Sequence, residues 1–554
     1  MEYPRKESLT VEFKSDLRVY PLNKLYEDLV GLANTDGGVL FLGMEDNGSP
    51  TGVDVQHKNC QEMEARIQDN TIPALFAKAT IVQLDGVDVL MLEVPISRQL
   101  MMTSEGKYLR RRLKRDGTPE TVALKPYEIL QRLSYIQAID PSAQVVEDVE
   151  AERALSPLER ERLRNMIRIY HGDASLLELS DDELDGALGF VRERDGKRYP
   201  TIAGLLMIGN ETYIRQCVPS HEVLFQVLDG VNVLSNPPAM HASLLQTFEK
   251  VDLLFQSRIV EQELQIGMFR VPIPNYEKDA FREGFVNALV HRDYFRVGAV
   301  QVQLQRDSLT IASPGGFMEG ITSENILTAA PTPRNALLAE AVKRIGLAER
   351  TGRGIDKIYI AMLRSGHAIP DFSASTNTFV VLKLNSAELD ENYIKMIVLE
   401  EERLQKAMPV DALIVLSVLK TERRATLKFL ASKIQKDVSE ARSVVEWLIE
   451  LGMIEGVGNG SARRYMLSSK VYSITNNKAG YTRQRGWDTL QERELILAHM
   501  DKYHEIDRQG VVELCRCTPN HASWLLRQLT ASGDLELVGS GRFAKYVLAN
   551  KDHL

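Results

Sequence analysis

The stretch Glu283-Gly-Phe-Val-Asn-Ala-Leu-Val-His-Arg-Asp-Tyr294 decides the central part of the fold. It predicts a helix of about three turns, because its apolar residues recur at helical spacing. Glu283, Asn287 and His291 follow one another at intervals of four residues, so they share a second face of that helix. Sixty residues after His291, Thr351-Gly-Arg-Gly-Ile355 places a glycine loop before another helix. Together the two stretches predict a site for an anionic ligand bound with magnesium.

The length of 554 residues exceeds what one hydrophobic core supports and therefore predicts several domains. Hydrophobic residues make up 44% of the chain, yet no apolar run approaches the ~18 residues of a membrane span. The N-terminus has no signal-peptide pattern. We therefore expect a cytoplasmic protein that has no membrane partner.

The charge is unevenly distributed along the chain. The net charge is −9, but residues 411–554 hold 21 basic and 17 acidic side chains, a surplus of +4 that leaves −13 for the rest. If nucleic acid is a partner, this asymmetry favours contacts with the C-terminal part.

Residues 1–130 predict an α/β domain with a helix over 22–33 and a buried strand over 39–42. Three of its motifs are Glu7-Ser-Leu-Thr-Val-Glu-Phe-Lys14, Ala33-Asn-Thr-Asp-Gly-Gly38 and Leu42-Gly-Met-Glu-Asp-Asn-Gly48. In their order and spacing they resemble a Schlafen AlbA-like domain.

That resemblance implies a metal-dependent, RNA-cleaving site in the nuclease members of the family. Here Glu7, Glu12 and Asp46 (or Glu45) would hold Mg²⁺ or Mn²⁺ against a phosphodiester, with Lys14 alongside. On one regular strand Glu7 and Glu12 would face opposite sides, so a joint site requires a bend between them.

A strongly basic stretch, Lys107-Tyr-Leu-Arg-Arg-Arg-Leu-Lys-Arg115, follows in the same domain. Arg110, Arg111, Arg112, Lys114 and Arg115 would suit phosphate contacts. The alternative is an ordinary solvated face.

Residues 131–155 are predicted to be a linker and residues 156–275 a connecting α/β domain without recognisable chemistry. Residues 276–385 predict a helix, a hairpin, a glycine turn, a glycine loop before a helix, and a last strand. This order is similar to the GHKL ATPase fold, an α/β sandwich. The motifs Asn287-Ala-Leu-Val-His-Arg-Asp-Tyr294, Ser313-Pro-Gly315 and Gly352-x-Gly354 resemble its divergent RecG-like C-terminal branch.

The second resemblance implies that ATP or another nucleotide binds with Mg²⁺. Asn287 would hold the metal ion, and Glu283 would act as general base. Gly352 and Gly354 would bring backbone N–H groups to phosphates at a helix N-terminus. The cofactor site predicted in this way comprises Asn287, His291, Arg292, Asp293, Gly315, Gly352 and Gly354.

Two departures limit what this second resemblance implies. No P-loop motif occurs, so a helicase motor is excluded. Ser313 stands where the usual fold has an adenine-reading Asp, so nucleotide binding is better supported than hydrolysis, and weak ATPase activity stays open.

Two similar units, 409–470 and 489–550, repeat at an offset of 81 residues. Each predicts three helices followed by a two-stranded ribbon, which is a winged helix-turn-helix. The residues predicted to contact nucleic acid in these units are Arg442, Arg463, Arg464, Arg527, Arg542 and Lys545. Winged helices also pair with proteins, and Glu440, Glu446 and Glu450 on the first recognition helix leave that alternative open.

The predicted fold class is therefore a multidomain α/β (α+β) protein. Our preferred hypothesis is a homo-oligomeric regulator that binds double-stranded DNA or RNA, with this binding modulated by nucleotide. The alternative is a Schlafen-like metal-dependent endoribonuclease with a role in phage defence. A third hypothesis is an oligomeric scaffold without catalysis.

Overall fold

The computed structural model of the chain describes residues 3–97, 99–136, 138–266, 269–349, 352–386, 391–458, 463–468, 470–471, 492–501, 504–515, 519–538 and 545–549. The chain forms two compact units. Unit 1 comprises residues 1–261, 274–358 and 370–386, and unit 2 comprises residues 262–273, 359–369 and 387–554.

Helices and strands alternate through most of the chain. The strands are β1 (Val11–Lys14), β2 (Gly38–Leu42), β3 (Thr71–Ile72), β4 (Lys78–Leu84), β5 (Val87–Val94), β6 (Met102–Thr103), β7 (Leu109–Leu113), β8 (Pro119–Ala123), β9 (Val191–Arg194), β10 (Lys197–Pro200), β11 (Val223–Asp229), β12 (Asn232–Ser235), β13 (Glu261–Ile266), β14 (Phe269–Pro274), β15 (Val300–Leu304), β16 (Ser308–Pro314), β17 (Phe379–Asn385), β18 (Ala425–Thr426), β19 (Ile454–Val457), β20 (Arg464–Leu467), β21 (Glu505–Ile506), β22 (Leu535–Val538) and β23 (Lys545–Leu548). The helices are α1 (Leu22–Ala33), α2 (Cys60–Asp69), α3 (Pro126–Tyr135), α4 (Ala151–Ala154), α5 (Pro157–Ile169), α6 (Asp181–Ala187), α7 (Ile202–Ile208), α8 (Glu211–Cys217), α9 (Leu244–Gln256), α10 (Lys278–Val290), α11 (Ala336–Arg344), α12 (Gly354–Arg364), α13 (Glu391–Leu404), α14 (Val410–Glu422), α15 (Leu427–Ile434), α16 (Val438–Glu450), α17 (492–501), α18 (Arg508–Cys515) and α19 (Pro519–Ala531).

The N-terminal part of unit 1 is built on a four-stranded sheet of order β1-β2-β5-β4. Strands β1 and β2 run parallel, and the other pairs are antiparallel. One face packs a cluster that contains Phe13 and Phe41, and α1 contributes to the cluster on the other face. The predicted helix over 22–33 is confirmed as α1. Strand β1 begins only at Val11, after Ser8 and Val11 close a tight turn through mutual backbone hydrogen bonds.

Residues 131–155, predicted to be a linker, lie in packed structure. The Asp140 carboxylate accepts a hydrogen bond from Leu337 N (2.7 Å), and Ser142 Oγ accepts one from Leu338 N (3.2 Å). These oxygens satisfy N–H groups at the start of α11 that have no partner within the helix. This stretch therefore supports a helix of the central domain.

The central sheet of unit 1 has the order β12-β11-β15-β16-β17. Strands β11 and β15 are parallel, whereas β16 pairs antiparallel with both β15 and β17. Helix α10 lies close against this sheet, because an added Cβ on Gly284 would lie only 2.7 Å from Leu382 Cδ2. Its other side stacks Phe281 on Phe255 of α9, with the ring centroids 3.8 Å apart. Burial on both sides holds α10 in place.

Unit 2 contains two successive groups of elements in the same order. Each has a helix, a short strand, two helices and two further strands, the second of which pairs with both the short strand and the first. The resulting sheets have the orders β18-β20-β19 and β21-β23-β22. This is the element order that the 81-residue repeat predicts. Residues 459–462 and 539–544, which include Arg542, lie outside the described residues.

The predicted mixed α/β fold class is confirmed. Among the described residues, no helix combines the length and apolar character that a bilayer crossing requires.

Candidate functional site

Helix α10 presents the polar face that its spacing predicts. The helix ends at Val290, so His291 is its C-terminal cap residue. Glu283 is 4% exposed, Asn287 is half-buried and His291 is open to solvent. Asn287 Nδ2 lies 3.4 Å from Glu283 Oε1 and donates a hydrogen bond to it. The carboxylate and the amide are therefore held side by side.

The C-terminal carbonyl groups of α10 are satisfied by side chains from elsewhere in unit 1. The donors and acceptors are Ser313 Oγ to Ala288 O (2.7 Å), Tyr294 OH to Leu289 O (3.0 Å), Asn335 Nδ2 to Val290 O (2.7 Å) and Arg334 Nε to His291 O (3.2 Å). Helix ends leave such groups without partners within the helix. These bonds fix the end of α10 that carries Asn287 and His291. These contacts could not be predicted from the sequence, because three of the four join residues at least 25 positions apart.

Arg292 and Asp293 belong to the frame of the site. The Arg292 side chain is fully buried and donates hydrogen bonds to the backbone carbonyls of Ser220, Asp293 and Gly298. An added Cβ on Gly315 would lie 2.8 Å from Asp293 Cβ, so the glycine allows close approach. Neither Arg292 nor Asp293 lines the cavity described next.

A cavity of about 380 Å³ lies within unit 1 against the polar face of α10. Its size falls in the range of about 300–1,000 Å³ that small-molecule sites occupy. Five of the seven predicted cofactor residues line it: Asn287, His291, Gly315, Gly352 and Gly354. Glu283 lines it as well. The tertiary fold thus brings together the two stretches that the sequence singled out.

Gly354 touches the Glu283 carboxylate at the start of α12. An added Cβ at Gly354 would overlap Glu283 Oε1 and would lie 2.9 Å from Glu283 Cδ. A helix N-terminus favours negative charge, because its N–H groups and dipole point outward. Burial nevertheless raises the pKa of Glu283, while the positive charges of Lys357 and Arg282 oppose that rise.

The cavity carries mixed charge. Its ionisable walls include the acidic residues Glu283, Glu349 and Asp356 and the basic residues Arg334, Lys343 and Arg353. His291 lines the cavity together with Arg334 and Lys343. Desolvation by the surrounding protein atoms, together with the charges of Arg334 and Lys343, holds the pKa of His291 well below its usual range. The imidazole is therefore neutral at physiological pH.

These residues fit a magnesium-bound nucleotide. Mg²⁺ in such sites takes one or two protein oxygen ligands and completes its shell with phosphates and water. Glu283 and Asn287 offer a carboxylate and an amide at hydrogen-bond distance from each other. Gly354 opens the N-terminus of an 11-residue helix, where backbone N–H groups favour phosphate.

Other walls of the cavity are apolar and include Ile311, Met318, Val380 and Leu382. Ser313 lines the same cavity, and its hydroxyl group donates a hydrogen bond to Ala288 O. The hydroxyl donor of Ser313, which stands where the usual fold has an adenine-reading Asp, is therefore engaged within the protein.

The carboxylates of the N-terminal domain have a different environment. Glu7 accepts a hydrogen bond from Phe13 N (3.0 Å), and Asp46 lies exposed on a turn. Glu12 is buried and pairs with the fully buried Arg111 and with Lys14. Within the described ranges, no group of three or more His, Cys, Asp or Glu side chains is placed to hold a metal ion. This donor set does not fit the predicted Mg²⁺ or Mn²⁺ site, and we derive no cleavage step from it.

The basic stretch of the same domain is paired internally. Arg110 Nε donates to Glu128 (3.0 Å), and Arg112 Nε donates to Glu120 (2.7 Å). The pKa of Glu128 is lowered by Arg110 despite partial burial. The predicted phosphate contacts would have to compete with these carboxylates.

The predicted nucleic-acid residues of unit 2 lie at the surface. Arg442, Arg464 and Arg527 are exposed. Arg463 lies over the Tyr465 ring at 5.3 Å, and Lys545 Nζ forms a 2.6 Å ion pair with Glu505. Exposed ion pairs of this kind contribute little to stability.

Comparison with known families identifies two parts of the chain. Residues 7–119 match the family model described as Schlafen, AlbA_2, and residues 298–382 match HATPase_c_4, described as putative ATP-dependent DNA helicase recG C-terminal. The chain carries an AlbA_2 domain and a HATPase_c_4 domain. Both resemblances that the motifs carried are confirmed, and together they associate the chain with a nucleic-acid-related function.

The HATPase_c_4 match includes Ser313, Gly315, Gly352 and Gly354, but it begins after α10. Between the two domains, residues 131–224 match a domain of unknown function, DUF8451.

A solved structure shares the overall fold. The crystal structure of the DIP2311 protein from Corynebacterium diphtheriae is 20% identical, with a TM-score of 0.51, and the match covers 98% of this chain and 95% of that chain. No curated protein matches the chain.

Proposed function

We propose that the cavity in the HATPase_c_4 part of the chain binds a nucleotide with Mg²⁺, and that its occupancy modulates the binding of nucleic acid. The observation that carries the proposal is the convergence of Glu283 and Asn287 with Gly352 and Gly354 on one cavity of small-molecule size.

We assign the phosphates and the base to different walls of the cavity. The phosphates lie at the N-terminus of α12, where Gly354 packs directly against the Glu283 carboxylate. Asn287 and Glu283 would hold the metal ion, which would offset phosphate charge when bound. The base lies toward Ile311 and Leu382. Neutral His291 and the cations Arg334 and Lys343 leave the cavity without the surplus of negative charge that would repel an anion.

The nucleic-acid contacts are assigned to the two repeats of unit 2, as winged helices. Helix α19 contains one basic residue, Arg527, and no acidic residue, which suits approach to a phosphate backbone. Helix α16 carries Arg442 but also three glutamates, which favours a protein contact for the first repeat. The second repeat is therefore the better candidate reader of duplex DNA.

Fluorescence anisotropy tests the proposal. Binding of a labelled DNA duplex is measured with and without Mg²⁺ and a non-hydrolysable ATP analogue. We expect the analogue to change the Kd for DNA by about 5- to 150-fold, the usual size of a coupling between sites. Asn287→Ala is expected to abolish this change. The matched control is Asn165→Ala, which removes an exposed amide on α5 away from the cavity.

Two results would contradict the proposal. One is DNA affinity that ignores the nucleotide in the wild-type protein. The other is coupling that survives intact in Asn287→Ala.

A further inference from the structure

A second cavity of about 1,210 Å³ lies inside unit 1, between the AlbA_2 part and the HATPase_c_4 part. It is larger than the ~300–1,000 Å³ of most small-molecule sites, which favours an extended ligand. We call it the interdomain cleft. Its walls come from α3 and the residues after α1 on one side, and from residues 293–297, 315–323 and 375–378 on the other.

Four arginines contributed by both sides line the interdomain cleft: Arg110, Arg132, Arg296 and Arg334. Arg132 Nη2 donates to Ser97 O (2.6 Å), while its buried Nε has no hydrogen-bond partner among the described residues. The buried Nε of Arg296 also has no such partner there, and it lies 3.8 Å from an Asp293 carboxylate oxygen. Two of the guanidinium groups thus retain unused donor capacity.

Four aromatic side chains line the interdomain cleft as well: Tyr127, Tyr135, Phe295 and Phe317. The Tyr127 side chain is 49% exposed. The Arg132 guanidinium lies over the Tyr135 ring, 5.3 Å from its centroid. Aromatic rings and guanidinium planes are the surfaces on which unpaired nucleic-acid bases stack.

The charge of the interdomain cleft favours single strands over duplexes as its ligand. Its acidic lining residues are Asp36, Glu128 and Asp293, so the four arginines leave a surplus of only +1. Duplex binding depends chiefly on many cation–phosphate contacts. Stacking on single-stranded bases needs fewer of them and contributes about 1–3 kcal/mol per base.

We propose that the interdomain cleft binds single-stranded nucleic acid by stacking bases on Tyr127 and Tyr135. This inference rests on the proposed function, because it adds to the duplex contacts assigned to unit 2 a second nucleic-acid site, for single strands. It also places this second site beside the nucleotide cavity. Gly315, Gly316, Phe317, Ile321 and Arg334 line both the nucleotide cavity and the interdomain cleft.

Arg334 joins the two cavities through specific contacts. It is 5% exposed, and it donates hydrogen bonds to His291 O (3.2 Å) and to Gly316 O (2.8 Å). A nucleic-acid strand that contacts Arg334 from the interdomain cleft therefore affects the end of α10 and the glycine turn. Both of these frame the nucleotide cavity.

The test is fluorescence anisotropy with labelled 12-residue single strands, one of RNA and one of DNA, and with the corresponding duplex. Tyr127→Ala combined with Tyr135→Ala is expected to weaken single-strand binding by about 5- to 150-fold for each lost stacking contact. Tyr127→Phe with Tyr135→Phe keeps the rings and is expected to retain binding. Phe76→Ala removes an aromatic ring that is 70% exposed and lies outside the cleft, and is expected to change nothing.

Salt dependence supplies a second measurement. Since the surplus charge allows only one or two phosphate contacts, the slope of log K against log salt should be no steeper than about −1.5 for single strands. If only the RNA strand or only the DNA strand binds, that result identifies which of the two the site takes.

The outcomes separate this inference from the proposed function. Wild-type single-strand binding that is unchanged in the double alanine variant, or lost equally in the Phe76 control, overturns the cleft site and leaves nucleotide-modulated binding intact. Failure of the wild-type protein to bind any of the nucleic acids overturns both. If the double alanine variant does not fold, Tyr127→Ala alone and Arg296→Gln are measured instead, with the same expected direction.

Discussion

Replacing Gly354 by alanine should remove nucleotide binding while leaving the fold intact. The added Cβ would lie 2.9 Å from Glu283 Cδ and would overlap Oε1. Non-bonded carbons sit ~3.5–4.0 Å apart, so the carboxyl carbon must move by roughly 0.6–1 Å. Misplacement of a site group by about 1 Å costs on the order of 100-fold, or roughly 2.7 kcal/mol.

The fold should tolerate this substitution for two reasons. The clashing atoms belong to the end of a side chain, which can turn away. Alanine is also favoured over glycine in helices by about 1 kcal/mol, and Gly354 begins α12 without a positive φ. We therefore expect an unfolding midpoint within a few degrees of wild type.

Isothermal titration calorimetry with Mg²⁺ and a non-hydrolysable ATP analogue measures the effect. The matched control is Gly186→Ala in α6, where an added Cβ meets nothing within 4 Å. The control should bind like wild type. Wild-type affinity in Gly354→Ala would refute the placement of phosphate beside Glu283.

Three further predictions concern stability and specificity. Because burial raises the pKa of Glu283, the folded protein binds this proton more tightly than the unfolded chain does. The resulting contribution to stability is fully present below the pKa of the unfolded chain, near 4.5, and is lost as pH rises through the pKa of the folded protein. Glu283→Gln should therefore raise the free energy of unfolding in urea at pH 8 by about 0.5–2 kcal/mol, with the gain shrinking toward pH 4.5; a less stable variant at pH 8 would contradict this. Because Ser313 donates its proton to Ala288 O, the Kd values for ATP and GTP in calorimetry should differ by less than about 200-fold, whereas a site built to hydrogen-bond one base discriminates by ~10⁴ or more. Arg111→Met should destabilise the protein by about 3–5 kcal/mol in urea denaturation, because it leaves the buried Glu12 short of a cation; the double variant with Glu12→Gln should cost less, and additive losses would show that the pair is not coupled.

Local periodicity was sufficient to predict the face of α10. Glu283, Asn287 and His291 share one side because four residues make about one turn. The buried apolar stripe of Phe285 and Val286 follows from the same spacing. What the spacing could not show is how close Gly354 comes to Glu283, because that contact depends on how α12 meets α10 in the folded chain.

The contacts that hold the end of α10 could also not be predicted from the sequence. Asn335 is fully buried and caps α10 from 45 residues away. In the sequence an Asn directly before an apolar periodic stretch is typical of a helix start, and α11 does begin directly after Asn335. Its second role requires tertiary contact.

In the N-terminal domain, strand alternation explains why Arg111 is buried and is not available for the predicted phosphate contact. Arg110, Arg111 and Arg112 stand in one strand, where alternate residues face opposite sides. The middle arginine must therefore face away from its neighbours, and it does so as the buried partner of Glu12. The pattern of glutamates identified the AlbA_2 domain correctly, but the environment of Glu12 depends on a residue 99 positions away.

Calorimetry on Asn287→Ala tests the central claim most directly. The amide of Asn287 lines the cavity and lies beside Glu283, and its loss leaves the buried apolar face of α10 unchanged. We predict measurable binding of the ATP analogue with Mg²⁺ to the wild-type protein and to Asn165→Ala, and a loss of at least about tenfold in Asn287→Ala. Equal affinity in all three proteins, or no binding to the wild type, would contradict a nucleotide site in this cavity.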